Sequence, residues 1–150
     1  MTVVFCGHRD VVFSVELKEN LEIILSDLIK NGADIFLLGG YGNFDIGAAQ
    51  TIGGLKNKYP NIKAVLVISY LNQKYNRVLY DEIIYPDLES VPKRYAIVKR
   101  NRWRVQHADM VVAYVEHSWG GAAKIMEYAQ RQGIEVMNIA KIYKKDNFAR

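Results

Sequence analysis

The sequence predicts an α/β domain, a three-layer sandwich built on a mainly parallel five-stranded sheet. Three observations carry this reading. Short unbroken apolar runs rich in β-branched residues recur along the chain, as strands covered on both faces require. Segments with helical apolar spacing separate them, and such alternation means right-handed crossovers onto a parallel sheet. Glycine-rich turns follow several of the runs, where an open parallel sheet presents the carboxyl ends of its strands to a ligand.

Val3–Phe5 reads as the first strand. Ser14 is placed to cap a helix whose apolar face is Leu17, Leu21, Ile24 and Leu28, and Asn31-Gly32 stops it. Ile35–Leu38 is the second strand. The next helix begins near Asp45 and runs to Tyr59-Pro60, with Gly53-Gly54 weakening it and letting a neighbouring backbone pack close. Ala64–Ile68 is the third strand. The stretch 70–89 then breaks the order. It carries four of the ten tyrosines and the Asp81-Glu82 pair, and reads as a functional lid or a misread element. A helix from Val91 to His107, a strand Met110–Val115, a helix from Gly121 to Gly133 and a strand Val136–Ile139 complete the series. In the last helix Ala122, Ile125, Met126 and Ala129 share one side, and the basic tail from Lys141 onward is expected to pack loosely.

A chain of 150 residues is most simply one domain, residues 1–150. A domain of that size buries roughly 68–70% of its extended-chain surface, so it needs no disulfide or metal staple. Half the residues are apolar, and no run reaches the length that spans a bilayer. The start, Met1-Thr2-Val3-Val4-Phe5, lacks a basic leader region, and the single cysteine cannot form an internal disulfide. A cytoplasmic protein with no membrane partner is the expectation.

The net charge of +4 is unevenly spread: residues 1–55 hold three basic and seven acidic side chains, and residues 56–150 hold seventeen and nine. The densest basic segment carries Lys93, Arg94, Lys99, Arg100, Arg102 and Arg104 on the predicted third helix. It is either a solvated face or a source of arginines turned inward to an anion.

Three loops follow buried strands and look built for one ligand: Cys6-Gly7-His8-Arg9, Gly39-Gly40-Tyr41-Gly42-Asn43-Phe44-Asp45, and Ser118-Trp119-Gly120-Gly121-Ala122. Glycines there let backbone approach a ligand, and the helices that follow aim free N–H groups at it. The central loop is not the dinucleotide fingerprint, because it follows the second strand and no acid ends the third. No Gly-Lys-Ser/Thr occurs, which excludes a Walker loop. A helix end is worth about 0.3–1 kcal/mol to an anion, and a charged hydrogen bond from Arg9 or Arg100 about 1.5–3. A ligand must offset roughly 4–15 kcal/mol of association cost, so a base or ribose has to be gripped as well. Tyr41, Phe44 and Trp119 flank the glycines and suit base stacking.

Taken in order, Gly7-His8-Arg9, Gly-Gly-x-Gly-x-Phe-Asp with Ala48-Ala49, Lys58-Tyr59-Pro60, Tyr80-Asp81-Glu82, and Arg100-Asn101-Arg102-Trp103 ahead of Asp109–Tyr114 resemble the YpsA-like branch of the SLOG group. That group joins the DprA/Smf DNA-processing proteins to the "Lonely Guy" phosphoribohydrolases. The resemblance spans Val3 to Ile139. It implies a Rossmann-like fold and a nucleotide or nucleotide-derived ligand, and often a homodimer or higher homo-oligomer; no cofactor is expected. The chain departs from the pattern where Gly120-Gly121-Ala122 replaces Gly-Gly-Thr, and the hydrolase signature is incomplete, with Glu127 two turns into its helix.

The expected ligand-binding set is Gly7, His8, Arg9, Gly39, Gly40, Gly42, Asp45, Arg100, Asn101, Ser118, Gly120, Gly121 and Ala122. Asp45 suits either a helix cap or a ribose hydroxyl, while Arg100 and Asn101 enter by the resemblance alone. If the chain is an enzyme, it is a nucleoside-monophosphate N-glycosidase with Asp81, Glu82 or Glu116 as its weak catalytic candidates. Glu116-His117-Ser118 are adjacent on one loop and cannot readily meet as a triad. The third reading is nucleic-acid binding through the basic helix 93–104. The histidines and cysteine show no metal spacing.

Overall fold

The computed structural model describes residues 1–142. Six strands form one sheet in the order β4-β3-β2-β1-β5-β6. They are β1 (Thr2–Gly7), β2 (Ile35–Leu38), β3 (Lys63–Val67), β4 (Glu82–Ile84), β5 (Met110–Tyr114) and β6 (Glu135–Asn138). Every pairing is parallel. Four helices pack on it, α1 (Val15–Lys30), α2 (Asn43–Leu55), α3 (Lys93–Gln106) and α4 (Gly121–Arg131), and residues 139–142 at the end of the described chain are helical too. The α/β sandwich is therefore as expected, with one strand more than the five predicted.

The extra strand is β4, which lies inside the stretch 70–89. Only three residues long and half exposed, it has no continuous apolar run to announce it. The same stretch holds a 3₁₀ turn, Arg77–Leu79. Asp81 opens β4: its backbone N–H donates to the Ala64 carbonyl, and its carboxylate accepts from the Ala64 amide.

Alternation along the strands fills both layers. Val3, Phe5, Phe36, Leu38, Met110 and Val112 face α1 and α2. Val4, Cys6, Leu37, Val65, Val111 and Ala113 face α3 and α4. Ser14 caps α1 by accepting from the Leu17 amide, and the helix buries Leu17, Leu21, Leu25 and Leu28. Leu25 takes the core position assigned from sequence to Ile24, which packs at the margin. Helix α2 stops at Leu55 and not at Tyr59, because Gly53-Gly54 gives up helical propensity and a turn closes from Tyr59 N–H to the Leu55 carbonyl. Neither of those glycines meets a close neighbour; the tight approach in α2 is at Gly47, against Phe13. Of the tail from Lys141 onward, residues 143–150 lie outside the described residues.

Parallel order changes direction at β1, which pairs with β2 on one side and β5 on the other. That is the switch point at which an open α/β sheet leaves a crevice at its carboxyl edge. Gly7 ends β1 there. A Cβ on Gly7 would sit 2.3 Å from Cδ1 of Phe44, a fully buried ring. Gly7→Ala is expected to destabilise the fold by about 1–3 kcal/mol through overpacking, read as a lower urea midpoint with an unchanged slope.

Candidate functional site

The three glycine turns meet at the carboxyl edge of the sheet. The first joins the second through the Asn43 N–H, which donates to the Arg9 carbonyl at 2.9 Å. Gly42, at φ +87°, stands so close that a Cβ would lie 2.9 Å from the Arg9 Cα. The first joins the third through the Glu116 N–H, which donates to His8 Nε2 at 2.8 Å. The His8 and His117 rings stack with centroids 3.9 Å apart. A cleft of about 670 Å³ opens between the turns, within the usual range for small-molecule sites.

Helix α3 supplies the floor. Of its six basic side chains, Lys93, Arg94, Lys99 and Arg102 are exposed, while Arg100 and Arg104 are buried. Spacing of four places those two on one helix face. Arg100 Nη1 donates to the carbonyls of Gly39 and Val67, both at 2.8 Å. Arg104 Nη1 donates to the Phe5 carbonyl at 2.9 Å. Asn101 ties the pair, its Oδ1 accepting from Arg100 Nε and Arg104 Nη2. Arg104 Nε is buried with no hydrogen-bond partner among the described residues.

Asp45 balances these cations from the first turn of α2. The helix cap is Gly42, so Asp45 does not cap. Its Oδ2 instead accepts from the amides of Gly39 and Gly40, at 3.0 and 2.6 Å. Burial raises the Asp45 pKa, against the pull of Arg104 and the Gly40 amide. Burial also lowers Arg104, and it lowers Arg100 to about 9 with Arg104 adding to the effect. Both guanidiniums remain cations at neutral pH. The cleft lining thus holds Arg9, Arg100 and Arg104 against Asp10 and Asp45, an excess of one positive charge when the histidines are neutral.

The remaining candidates separate cleanly. Gly7, His8, Arg9, Gly39, Asp45, Arg100, Asn101, Gly120, Gly121 and Ala122 line the cleft. Gly40 faces Leu66 and Gln73, Gly42 backs Arg9, and Ser118 is exposed outside the lining. Asp81 and Glu82 lie at the opposite, amino edge of the sheet, where Asp81 pairs with Lys56 and Glu82 with Lys63. Neither lines the cleft, and nor does Glu116, the third catalytic candidate. The stretch 70–89 is not a lid over it either. Gln73 Nε2 donates to the Gly39 carbonyl, and the segment buttresses the second turn from behind. Glu127 lines a separate groove between α3 and α4. His117 Nδ1 is engaged with the Trp119 carbonyl at 2.8 Å, so no Glu116-His117-Ser118 triad forms. Burial pushes the Cys6 thiol up to about 12, which leaves it unreactive.

Sequence reasoning missed Arg104, the bridging role of Asn101, and Gln73. The four-residue spacing of Arg100 and Arg104 was the available signal. Among the described residues, no group of three His, Cys, Asp or Glu side chains could hold a metal ion. None of their helices is long and apolar enough to cross a membrane.

No protein-family model and no curated protein matches the sequence. Solved structures do match the fold. The DNA processing protein A (DprA) of Streptococcus pneumoniae aligns with a TM-score of 0.65 at 20% identity, over 90% of this chain and 48% of that one. The chain shares this fold. DprA from Helicobacter pylori, described with a single-stranded DNA binding mode, aligns at 0.62 and 19% identity, over 91% of this chain and 63% of that one. The structural-genomics target TM1055 aligns at 0.60 and 18%, over 90% and 71%. The chain therefore spans about half to two thirds of the DprA chains it resembles.

Two outcomes are expected of this site. Asp45→Ala removes the acceptor for two loop amides and the counter-charge to two buried guanidiniums. It should cost at least about 3 kcal/mol in chemical unfolding, and adding Arg104→Met should restore part of that loss. His8 has its pKa lowered by burial first and by His117 second, with Glu116 and Asp10 opposing. A base with a depressed folded pKa stabilises the fold above its unfolded value, and that contribution is lost as pH falls through the folded value. Thermal stability should therefore drop more steeply below about pH 6.5 in the native protein than in His8→Gln, whose amide accepts a hydrogen bond but does not titrate.

Proposed function

We propose that this is a SLOG-type protein that binds a nucleotide or nucleotide-derived small molecule, as a sensor and not a hydrolase, in the cleft between the three glycine turns. The observation that carries this reading is the pair of buried arginines beneath those turns, with a single buried carboxylate between them. A floor with unbalanced positive charge in a low-dielectric setting favours an anion above it. Gly120, at φ +93°, turns the chain so that α4 begins at the cleft wall, and its first amides add to the same field. Exposed Arg9 closes the other side. The likeness to DprA and TM1055 supports membership of the SLOG group, with which the ordered motifs agree. The hydrolase reading has less support, since none of its carboxylate candidates, Asp81, Glu82 and Glu116, is among the residues lining the cleft.

A second reading has its own observation. The H. pylori DprA of this fold is described as binding single-stranded DNA, and four basic side chains of α3 face outward. A strand would enter the same cleft one nucleotide at a time and run along α3. Salt separates the two readings: a mononucleotide releases few counterions, whereas an oligonucleotide loses affinity steeply as salt rises.

Calorimetry with nucleoside monophosphates tests the first reading. Arg9→Ala should weaken binding roughly tenfold or more, the loss of one charge-assisted hydrogen bond. Gly121→Asp should weaken it by a similar factor of roughly ten through repulsion at the helix end. A Cβ at Gly121 meets nothing within 4 Å, so the fold should be unharmed. Unchanged affinity in both variants would overturn the site.

A further inference from the structure

Three aromatic rings from two loops form a column at the rim of the cleft. His8 stacks on His117 with centroids 3.9 Å apart and planes at 16°. His117 stacks on Trp119 at 3.8 Å and 14°. Side contacts hold the imidazoles in place: His8 Nε2 accepts from the Glu116 amide, and His117 Nδ1 meets the Trp119 carbonyl. The last ring, Trp119, has one face against His117, yet the residue is 68% exposed. A large flat indole is thus held in a set plane with its outer face open to solvent at a cleft it helps to line.

The other aromatics beside the glycine turns are spoken for. Phe44 is fully buried in the core against Phe5 and Tyr114. Tyr41 has the Arg100 guanidinium over its ring at 5.5 Å.

We propose that the outer face of Trp119 is the stacking platform for a flat heteroaromatic base, extending the His8–His117–Trp119 column by one ring while the ligand's phosphate lies in the cleft. This rests on the nucleotide reading above and adds to it the group that reads the base. Because every nucleobase has a π-face, selection at this platform follows stacking strength and not an edge pattern of donors and acceptors. Purine nucleotides should bind more tightly than pyrimidine ones. The pre-stacked column also limits the ordering cost of binding, since its rings are already parallel.

The test compares AMP, GMP, CMP and UMP with ribose 5-phosphate, which keeps sugar and phosphate and lacks the base. Binding is followed by calorimetry in the native protein, Trp119→Ala and Trp119→Phe. Trp119→Ala should lose roughly tenfold in AMP affinity, the scale of one base–aromatic stack, with ribose 5-phosphate unaffected. Trp119→Phe should recover much of the loss. AMP should also quench indole fluorescence in the native protein more than in Trp119→Phe, where only Trp103 remains. If the nucleotides bind and Trp119→Ala changes AMP and ribose 5-phosphate alike or not at all, the platform is overturned while the nucleotide reading stands. If none of the four nucleotides binds at millimolar concentration, the nucleotide reading falls and the platform falls with it.

Discussion

The carboxyl edge of this sheet depends on two guanidiniums buried beneath it. Arg100 and Arg104 reach from α3 to main-chain carbonyls at or near the carboxyl ends of β1, β2 and β3, those of Phe5, Gly39 and Val67. Arginine suits this task because its planar fork offers five donors and keeps its charge when buried. Two like charges held in the interior carry a desolvation cost, and Asp45 opposes it from α2 while holding the Gly39 and Gly40 amides. One polar set thereby joins both helical layers through the end of the sheet.

That constraint explains why the turns are built from glycine where they are. Gly39 has room for no side chain without crowding Arg100, since a Cβ would stand 3.0 Å from Nη1. Gly42 takes a left-handed conformation next to Arg9, and the first two turns close on each other through a main-chain hydrogen bond. The third turn is held by the histidine contacts and not by arginine. The cleft that results has a cationic floor, backbone walls and an aromatic rim. Its polar groups are set in position by the fold's own hydrogen bonds.

Much of the fold was legible in the sequence, and the residues show why. Unbroken apolar runs announced β1, β2, β3 and β5, because strands buried on both faces leave no polar position in the run. β4 went unseen because an edge strand of three residues is half solvated and carries charge at its start. The stretch around it looked like a lid, yet Gln73 and Asp81 spend their side chains on the backbone of β2 and β3. Asp81 and Glu82 entered as catalytic candidates beside the reading of a solvated pair, because a carboxylate pair reads alike at either end of a strand. Direction along the sheet decides which end it is, and β4 was the missing strand.

The sequence by itself determined the layers, the parallel sheet and the glycine turns at strand ends. Those features depend on local periodicity and on backbone conformations that few residues adopt. Tertiary structure alone decided which charges are buried. Six basic residues on α3 look alike in print, and helix rotation against the sheet sends two inward and four outward. The bonds that result join residues 61 and 99 positions apart, at Arg100–Gly39 and Arg104–Phe5. No local pattern encodes such contacts, because they exist only once the strands have been paired and the helix laid across them.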